Sequence, residues 1–358
     1  MRVVLAGGGT AGHIEPALAL ADALRHLDRS VGITCVGTER GLESRLVPTR
    51  GYELELVPAV PLPRAITPSL LTVPGRLAGA INAMVGILDR VEADVLVGFG
   101  GYVATPAYLA AKRRGLPIVV HEANPRPGLA NRLGARLTDH VFSGFPESAM
   151  PKAEYIGTPL RREIVSLDRL SMGDKARSWF GLENDRPTLL VFGGSQGSRS
   201  LNEAALAAAP ALRRAGVQVL HVLGPKNAVD REPPPGDPQY VLLPYLERMD
   251  LAYAAADVAL CRGGALTCAE LTAVGLPAAF VPLPSGNGEQ TVNAGRIAQG
   301  GGGLMVDDAH LSPDWIIHNV LPILHDPERV AAMSEAASRL GRKDADIMLA
   351  RKVLEIAR

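Results

Sequence analysis

Two stretches of this chain repeat one design. Val3-Val4-Leu5-Ala6 runs into Gly7-Gly8-Gly9-Thr10-Ala11-Gly12, and Leu189-Leu190-Val191-Phe192 runs into Gly193-Gly194-Ser195-Gln196-Gly197. Each reads as a strand buried on both faces, a glycine turn and then an amphipathic helix. Short apolar runs alternate with helix-length segments elsewhere, as in parallel α/β units. Strands are expected near 2–6, 31–36, 52–57, 94–98, 117–120, 139–142 and 154–156, and again near 188–192, 217–222, 239–242, 257–260, 278–281 and 303–306. Helices in the first half are expected at 15–28, 41–49, 69–90, 103–114 and 128–137.

At 358 residues the chain exceeds one ordinary core, so two domains follow. The pattern restarts after Gly157-Thr158-Pro159. The expectation is an α/β fold of two doubly wound, Rossmann-like domains, residues 1–160 and 161–343, facing across a cleft. A final helix within 344–358 would pack back on the first domain, and Pro233 to Pro238 would form a surface loop. Ligands of such sheets bind beyond the carboxyl ends of the strands.

Lys and Arg (37) balance Asp and Glu (37), so the chain lacks the overall basic footprint of a nucleic-acid binder. Cys35, Cys261 and Cys268 show no disulfide or metal spacing and read as buried thiols of a reducing compartment. Arg2 leads directly into the first strand with no secretory apolar region, and no apolar run reaches membrane-spanning length. A cytoplasmic chain is expected.

The first loop matches G-x-G-x-x-G at Gly7, Gly9 and Gly12, and Glu39 lies where a dinucleotide site places its ribose-binding acid. An NAD-dependent oxidoreductase is therefore an alternative. Against it stand His13, directly after the loop, and a second phosphate-type loop with no task in a dehydrogenase. His13 is a candidate general base, since imidazole titrates near neutral pH; the plainer reading is a histidine satisfied by local backbone. Tyr102, after Asp94 to Gly101, is a candidate acceptor contact or a packed turn residue. In His121-Glu122-Ala123-Asn124, Glu122 is a second candidate base and Asn124 a sugar hydrogen-bonder, or both are loop structure.

In the second half, Arg262-Gly263-Gly264-Ala265-Leu266-Thr267-Cys268-Ala269-Glu270 follows a strand. Thr267 and Glu270 have capping-box spacing, which explains them structurally. The functional reading aims this helix end at a nucleotide diphosphate and Glu270 at ribose. Gln290 opens the next helix within reach of a donor sugar. Asp344 and Asp346 form an Asp-x-Asp pair but start the last helix, where N-capping is expected. No metal site is expected, so Arg161 and helix ends would meet diphosphate charge. In segment 62–90, Leu77, Ile81, Met84, Val85 and Leu88 share one helical face after Leu70 and Leu71, flanked by Arg64, Arg76 and Arg90. Residues 60–140 hold nine Lys/Arg against five Asp/Glu. That pattern suits an anionic membrane surface or an ordinary core-facing helix.

These blocks, in this order, resemble the MurG family, the bacterial transferases that add N-acetylglucosamine to lipid-linked muramoyl-pentapeptide. The resemblance covers Gly8 to His13, Gly100 to Tyr102, His121 to Asn124, Gly157 to Arg161, Gly193 to Gly197, Ala265 to Thr267 with Glu270, and Gln290 with Asn293-Ala294. It implies GT-B architecture, with UDP-N-acetylglucosamine held mainly by the second domain and lipid acceptor by the first. Thr10, Ala11, Gly12, Asn124, Arg161, Ser195 and Gln290 are then expected around the donor. Leu246, Ala265, Leu266, Thr267, Cys268, Ala269 and Glu270 are expected at uracil and ribose. Ala11, Ala123, Gly264 and Glu289 depart from the common family residues.

The resemblance further implies an inverting, metal-free transfer from UDP-N-acetylglucosamine to the muramoyl 4-hydroxyl of lipid I. The base is His13 or Glu122, no cofactor is used, and the enzyme is peripheral on the cytoplasmic face of the membrane. A GT-B transferase for a glycolipid or natural product would share much of this pattern. So would a non-catalytic sugar-nucleotide or membrane-docking subunit, if donor and acceptor sites were divided between chains.

Overall fold

A computed structural model describes residues 1–358 apart from 40, 61–71, 226, 228–235 and 286. Arg64, Leu70, Leu71 and Pro233 to Pro235 lie outside the described residues. The chain divides into two compact units, residues 1–161 with 343–358, and residues 162–342.

The first unit runs β1 (Arg2–Gly7), α1 (Ala11–Leu27), β2 (Gly32–Gly37), α2 (Glu43–Thr49), β3 (Glu53–Leu56), α3 (Val73–Arg90), β4 (Val95–Gly100), α4 (Ala104–Arg114), β5 (Ile118–Glu122), α5 (Leu129–Gly134), β6 (Val141–Ser143) and β7 (Glu154–Tyr155). Its seven strands are parallel in the order β3-β2-β1-β4-β5-β6-β7. Val3 to Ala6 and Val95 to Val97 are fully buried, because helices cover both faces of the sheet. The sequence order of the strands reverses between β1 and β4, which opens a ligand crevice at their carboxyl ends.

The second unit runs α6 (Arg162–Val165), α7 (Arg169–Trp179), β8 (Thr188–Phe192), α8 (Arg199–Arg214), β9 (Gln218–Val222), β10 (Tyr240–Leu243), α9 (Met249–Ala255), β11 (Val258–Cys261), α10 (Ala265–Val274), β12 (Ala278–Phe280), α11 (Glu289–Gln299), β13 (Gly303–Met305), α12 (Pro313–Asn319), α13 (Leu321–Leu324) and α14 (Pro327–Ser338). Its six parallel strands lie in the order β10-β9-β8-β11-β12-β13, reversing between β8 and β11. The last helix, α15 (Ala345–Ile356), belongs to the first unit. Its Leu349, Ala350 and Val353 enter the core beside Leu18 and Leu24 of α1.

Three local expectations meet the structure here. The apolar stripe of α3 faces inward: Met84 and Leu88 are buried, and Ile81 and Val85 pack on the same core as Ala107 and Tyr108 of α4. Burying such a side chain is worth about 1.5–3 kcal/mol, so an exposed membrane stripe loses to the core. Thr267 does not cap α10; Gly264 is the N-cap, and no side chain caps the helix. Asp344 is the N-cap residue of α15, as expected, although its carboxylate makes no capping bond to the helix, while burial pushes the Asp346 carboxyl up.

Candidate active site

In the first unit the loops after β1, β4 and β5 gather at the carboxyl edge of the sheet. His13 is the third residue of α1, and its Nδ1 lies 3.2 Å from the Gly8 carbonyl and 3.3 Å from Thr10 Oγ1. A carbonyl oxygen can only accept, so this contact is a hydrogen bond when the ring proton sits on Nδ1, the tautomer whose Nε2 is the acceptor. Nε2 turns toward Gly100, whose φ of +103° and missing side chain make room; a Cβ there would come within 3.2 Å of it. Thr10, Ala11 and Gly12 form the opening turn of α1, where main-chain amides have no partner inside the helix. Tyr102 is 52% exposed, with its ring beside Gly9.

Glu122 is a scaffold carboxylate. Its Oε1 accepts hydrogen bonds from Asn124 N (2.9 Å) and Asn124 Nδ2 (3.2 Å), and its Oε2 from Gly128 N and Asn131 Nδ2 (3.0 Å each). With both oxygens twice occupied and 4% exposure, it shapes the loop after β5 rather than offering a lone pair to a substrate. The Asn124 amide NH2 is likewise turned to Glu122. Asn131 also accepts from Tyr108 Oη (2.7 Å), joining the loop to the core.

His121 is fully buried, its Nε2 2.8 Å from the Gly157 carbonyl, and burial pushes its pKa down to about 4. The unfolded chain takes this proton near 6.5, so between pH 6.5 and about 4 the unfolded state binds more protons than the folded one. Stability contributed by neutral His121 is complete above pH 6.5 and falls by on the order of 3 kcal/mol as pH drops to 4. Chemical denaturation at pH 7 and pH 4.5 should therefore show a smaller acid loss in His121→Gln than in the parent. Equal losses would remove His121 as the cause.

Arg161 lies beside α1, with Nε 3.7 Å from Glu15 Oε2, a carboxylate oxygen that Arg50 also approaches at 3.6 Å. The carboxylate partly neutralises the guanidinium expected to meet diphosphate.

In the second unit, Ser195 lies in the glycine turn after β8, and the Ser198 hydroxyl caps α8 by accepting from Leu201 N. Ala265, Leu266 and Thr267 make the opening turn of α10, directly after β11. The Glu270 carboxylate, one turn further, accepts a 2.7 Å hydrogen bond from Tyr253 Oη and is 5% exposed. Ala269 is half-buried on the same turn, and Leu246 is half-buried in the loop after β10. Gln290 uses its Oε1 to accept from Leu283 N (2.9 Å), bracing the loop after β12 and leaving its NH2 to point elsewhere. Cys268 lies on the inner side of the same turn of α10. Its side chain is 3% exposed and its amide donates to the Gly264 carbonyl.

Two residues that local sequence pattern did not single out tie these loops together. Glu43 accepts from Gly9 N in the first glycine loop, and Arg262, in the segment between β11 and α10, donates to Ser198 and Ser200 where α8 begins. Glu39, by contrast, is exposed. Among the described residues, no group of three or more His, Cys, Asp or Glu is arranged to hold a metal ion, and no helix is long and apolar enough to cross a membrane.

The glycosyltransferase family 28 N-terminal domain matches residues 3–143 and its C-terminal domain matches residues 188–348. A Thermobifida fusca protein, named UDP-N-acetylglucosamine–N-acetylmuramyl-(pentapeptide) pyrophosphoryl-undecaprenol N-acetylglucosamine transferase, is 65% identical over 100% of this chain and 95% of its own length. The chain belongs to the MurG family. A relative of the same name from Streptomyces avermitilis is 62% identical, with 99% of this chain and 98% of that protein aligned. The crystal structure of Acinetobacter baumannii MurG superposes with a TM-score of 0.77 at 26% identity, covering 99% of each chain. The family and this likeness make the fold GT-B and the chain a glycosyltransferase, which removes the oxidoreductase reading. The Gly9 amide, which a dinucleotide diphosphate would use, is instead bound to the Glu43 carboxylate (3.0 Å).

Proposed function

We propose that this chain transfers N-acetylglucosamine from UDP-N-acetylglucosamine to the 4-hydroxyl of the lipid-linked muramoyl-pentapeptide, giving the disaccharide lipid of peptidoglycan synthesis. The donor is held by the second unit and the acceptor by the first. The hydroxyl oxygen attacks the anomeric carbon as the bond to UDP breaks, inverting that centre to a β-1,4 linkage. The hydroxyl proton passes to His13 Nε2. UDP departs against main-chain amides at the opening turns of α8 and α10, which stabilise the developing charge without a required metal. Glu270 accepts from ribose, Leu246 meets uracil, and Ser195 and Gln290 contact the donor. Thr10, Ala11, Gly12, Tyr102, Asn124 and Arg161 serve the loop side of the first unit.

The observation that carries this reading is the His13 imidazole, with Nδ1 engaged by main chain and Nε2 bare at the carboxyl edge of the sheet. Lys112, Arg132 and Arg136, all exposed in the first unit, support peripheral docking to an anionic membrane, on its cytoplasmic face. The three free, buried cysteines suit that reducing side.

The test is purified protein with UDP-N-acetylglucosamine and a short-chain analogue of the lipid acceptor, with and without chelator. UDP release coupled to a product heavier by one N-acetylglucosamine is expected in both. Absence of transfer overturns the assignment, while loss on chelation overturns only the metal-free step. Transfer to other glycolipids or natural products, with none to the muramoyl lipid, would instead favour a different acceptor class.

A further inference from the structure

Glu43, the first residue of α2, is 0% exposed, yet none of the ion pairs among the described residues includes it. Its Oε1 accepts from Thr38 N (2.8 Å) and Thr38 Oγ1 (2.9 Å), and its Oε2 accepts from Gly9 N (3.0 Å). The chain makes room for this carboxylate at some cost. A Cβ at Gly37 or Gly41 would overlap the Glu43 side chain, and one at Gly8 would come within 2.9 Å of its Oε1. A buried carboxylate with no cation among the described residues is expensive to keep unless it serves its hydrogen-bond partners.

The partner at Oε2 is informative. The Gly9 N–H and the Gly8 carbonyl belong to one peptide group, and that carbonyl lies 3.2 Å from His13 Nδ1. Carboxylate, peptide and imidazole therefore form one hydrogen-bonded line. A peptide whose N–H is bound by a carboxylate carries a more negative carbonyl oxygen, and so accepts more strongly from Nδ1–H. Thr10 Oγ1, also near Nδ1, can donate or accept and does not select a tautomer by itself.

We propose that Glu43 is a positioning residue for His13, acting through the Gly8–Gly9 peptide. It holds the imidazole in the Nδ1–H tautomer and leaves Nε2 as proton acceptor. When the acceptor O–H bond breaks and its proton lands on Nε2, Nδ1 keeps its own proton and the charge of the imidazolium is met through the polarised peptide. The part resembles that of the aspartate in a Ser-His-Asp triad, with a peptide interposed. The inference rests on His13 being the base.

The first test needs no substrate. In the full-length protein with 15N-labelled histidine, the neutral His13 ring, assigned by its loss in His13→Gln, should show a protonated Nδ1 and an unprotonated Nε2. The opposite tautomer overturns the proposal, whether or not any variant folds. In Glu43→Gln, which cannot accept from both Thr38 and Gly9 as a carboxylate does, the tautomer preference should weaken. Its kcat should fall roughly 10- to 100-fold, by analogy with the outer partners of metal-ligating histidines. KM for UDP-N-acetylglucosamine should stay unchanged, and Glu43→Asp should regain part of the rate. A purely structural prop would lower the folded fraction while leaving kcat per molecule with a folded first unit, counted by slow amide exchange in α1, intact, and that result also overturns it. If His13→Ala retains turnover, the base assignment fails while the tautomer result still stands, so the two failures are separable.

Discussion

Replacing His13 by alanine is expected to lower kcat by about 100- to 10,000-fold, the usual contribution of a positioned general base, with UDP affinity unchanged. Truncation removes the Nε2 acceptor but leaves the glycine loop anchored, because the Gly9 amide is held by Glu43 and not by the imidazole. The proposed uracil and ribose contacts lie in the other unit and the substitution leaves Arg161 in place, so calorimetric titration with UDP should give the parental Kd. Glu122→Ala should behave differently. It strips four hydrogen bonds from the loop after β5, and stability should fall together with rate. Full turnover in His13→Ala would remove the histidine from the chemical step. A Glu122→Gln protein that stays folded but inactive would move the base there.

The second large effect is expected at Arg262. Its Nη2 donates to Ser198 Oγ (2.8 Å) and Ser200 Oγ (3.0 Å). Its Nη1 donates to the Val281 and Pro282 carbonyls and to Asp308 Oδ1 (2.5 Å). One guanidinium thus joins the cap of α8, the end of β11, the residue after β12 and the turn after β13. The pair is largely buried, with side chains 11% and 20% exposed. Arg262→Ala leaves Asp308 with the Ser200 hydroxyl (2.6 Å) but no cation. Breaking such a pair costs about 3–5 kcal/mol, and the urea midpoint should fall accordingly. UDP affinity in the fraction still folded should weaken at least about tenfold, or about 1.4 kcal/mol, as the two helix ends lose their common brace. Arg262→Lys should recover little, since an ammonium cannot reproduce the planar fork that serves these acceptors. Parental UDP affinity in folded Arg262→Ala would show that the brace is not needed for the nucleotide.

The strands were largely legible from composition along the chain. Val3 to Ala6 and Leu189 to Phe192 are continuous apolar runs because central parallel strands are buried on both faces. Helix starts were less so. The 17-residue α1 begins at Ala11, ahead of the expected start at 15, because glycine-rich first turns carry no amphipathic signal. The α3 stripe had the right period, but period alone cannot tell a face turned to the core from one turned to lipid. Met84 and Leu88 take the core because β4, β5 and α4 lie beneath them.

For the site, local pattern reached the residues next to glycines and strand ends, including His13, Ser195, Thr267 and Glu270. It could not rank His13 against Glu122, since the four donors that occupy Glu122 come from the turn and helix after it. Nor could it reach Glu43, whose Gly9 partner lies 34 residues away, or Arg262, whose acceptors lie up to 64 residues away. By itself, then, the sequence determined two parallel sheets, their glycine turns and the family, because burial and tight turns write themselves into neighbouring residues. Only the tertiary structure showed that four donors surround Glu122, that the Gly8 carbonyl faces His13 Nδ1 and that Arg262 braces the second loop. Those outcomes depend on hydrogen-bond partners that meet only when distant segments fold together.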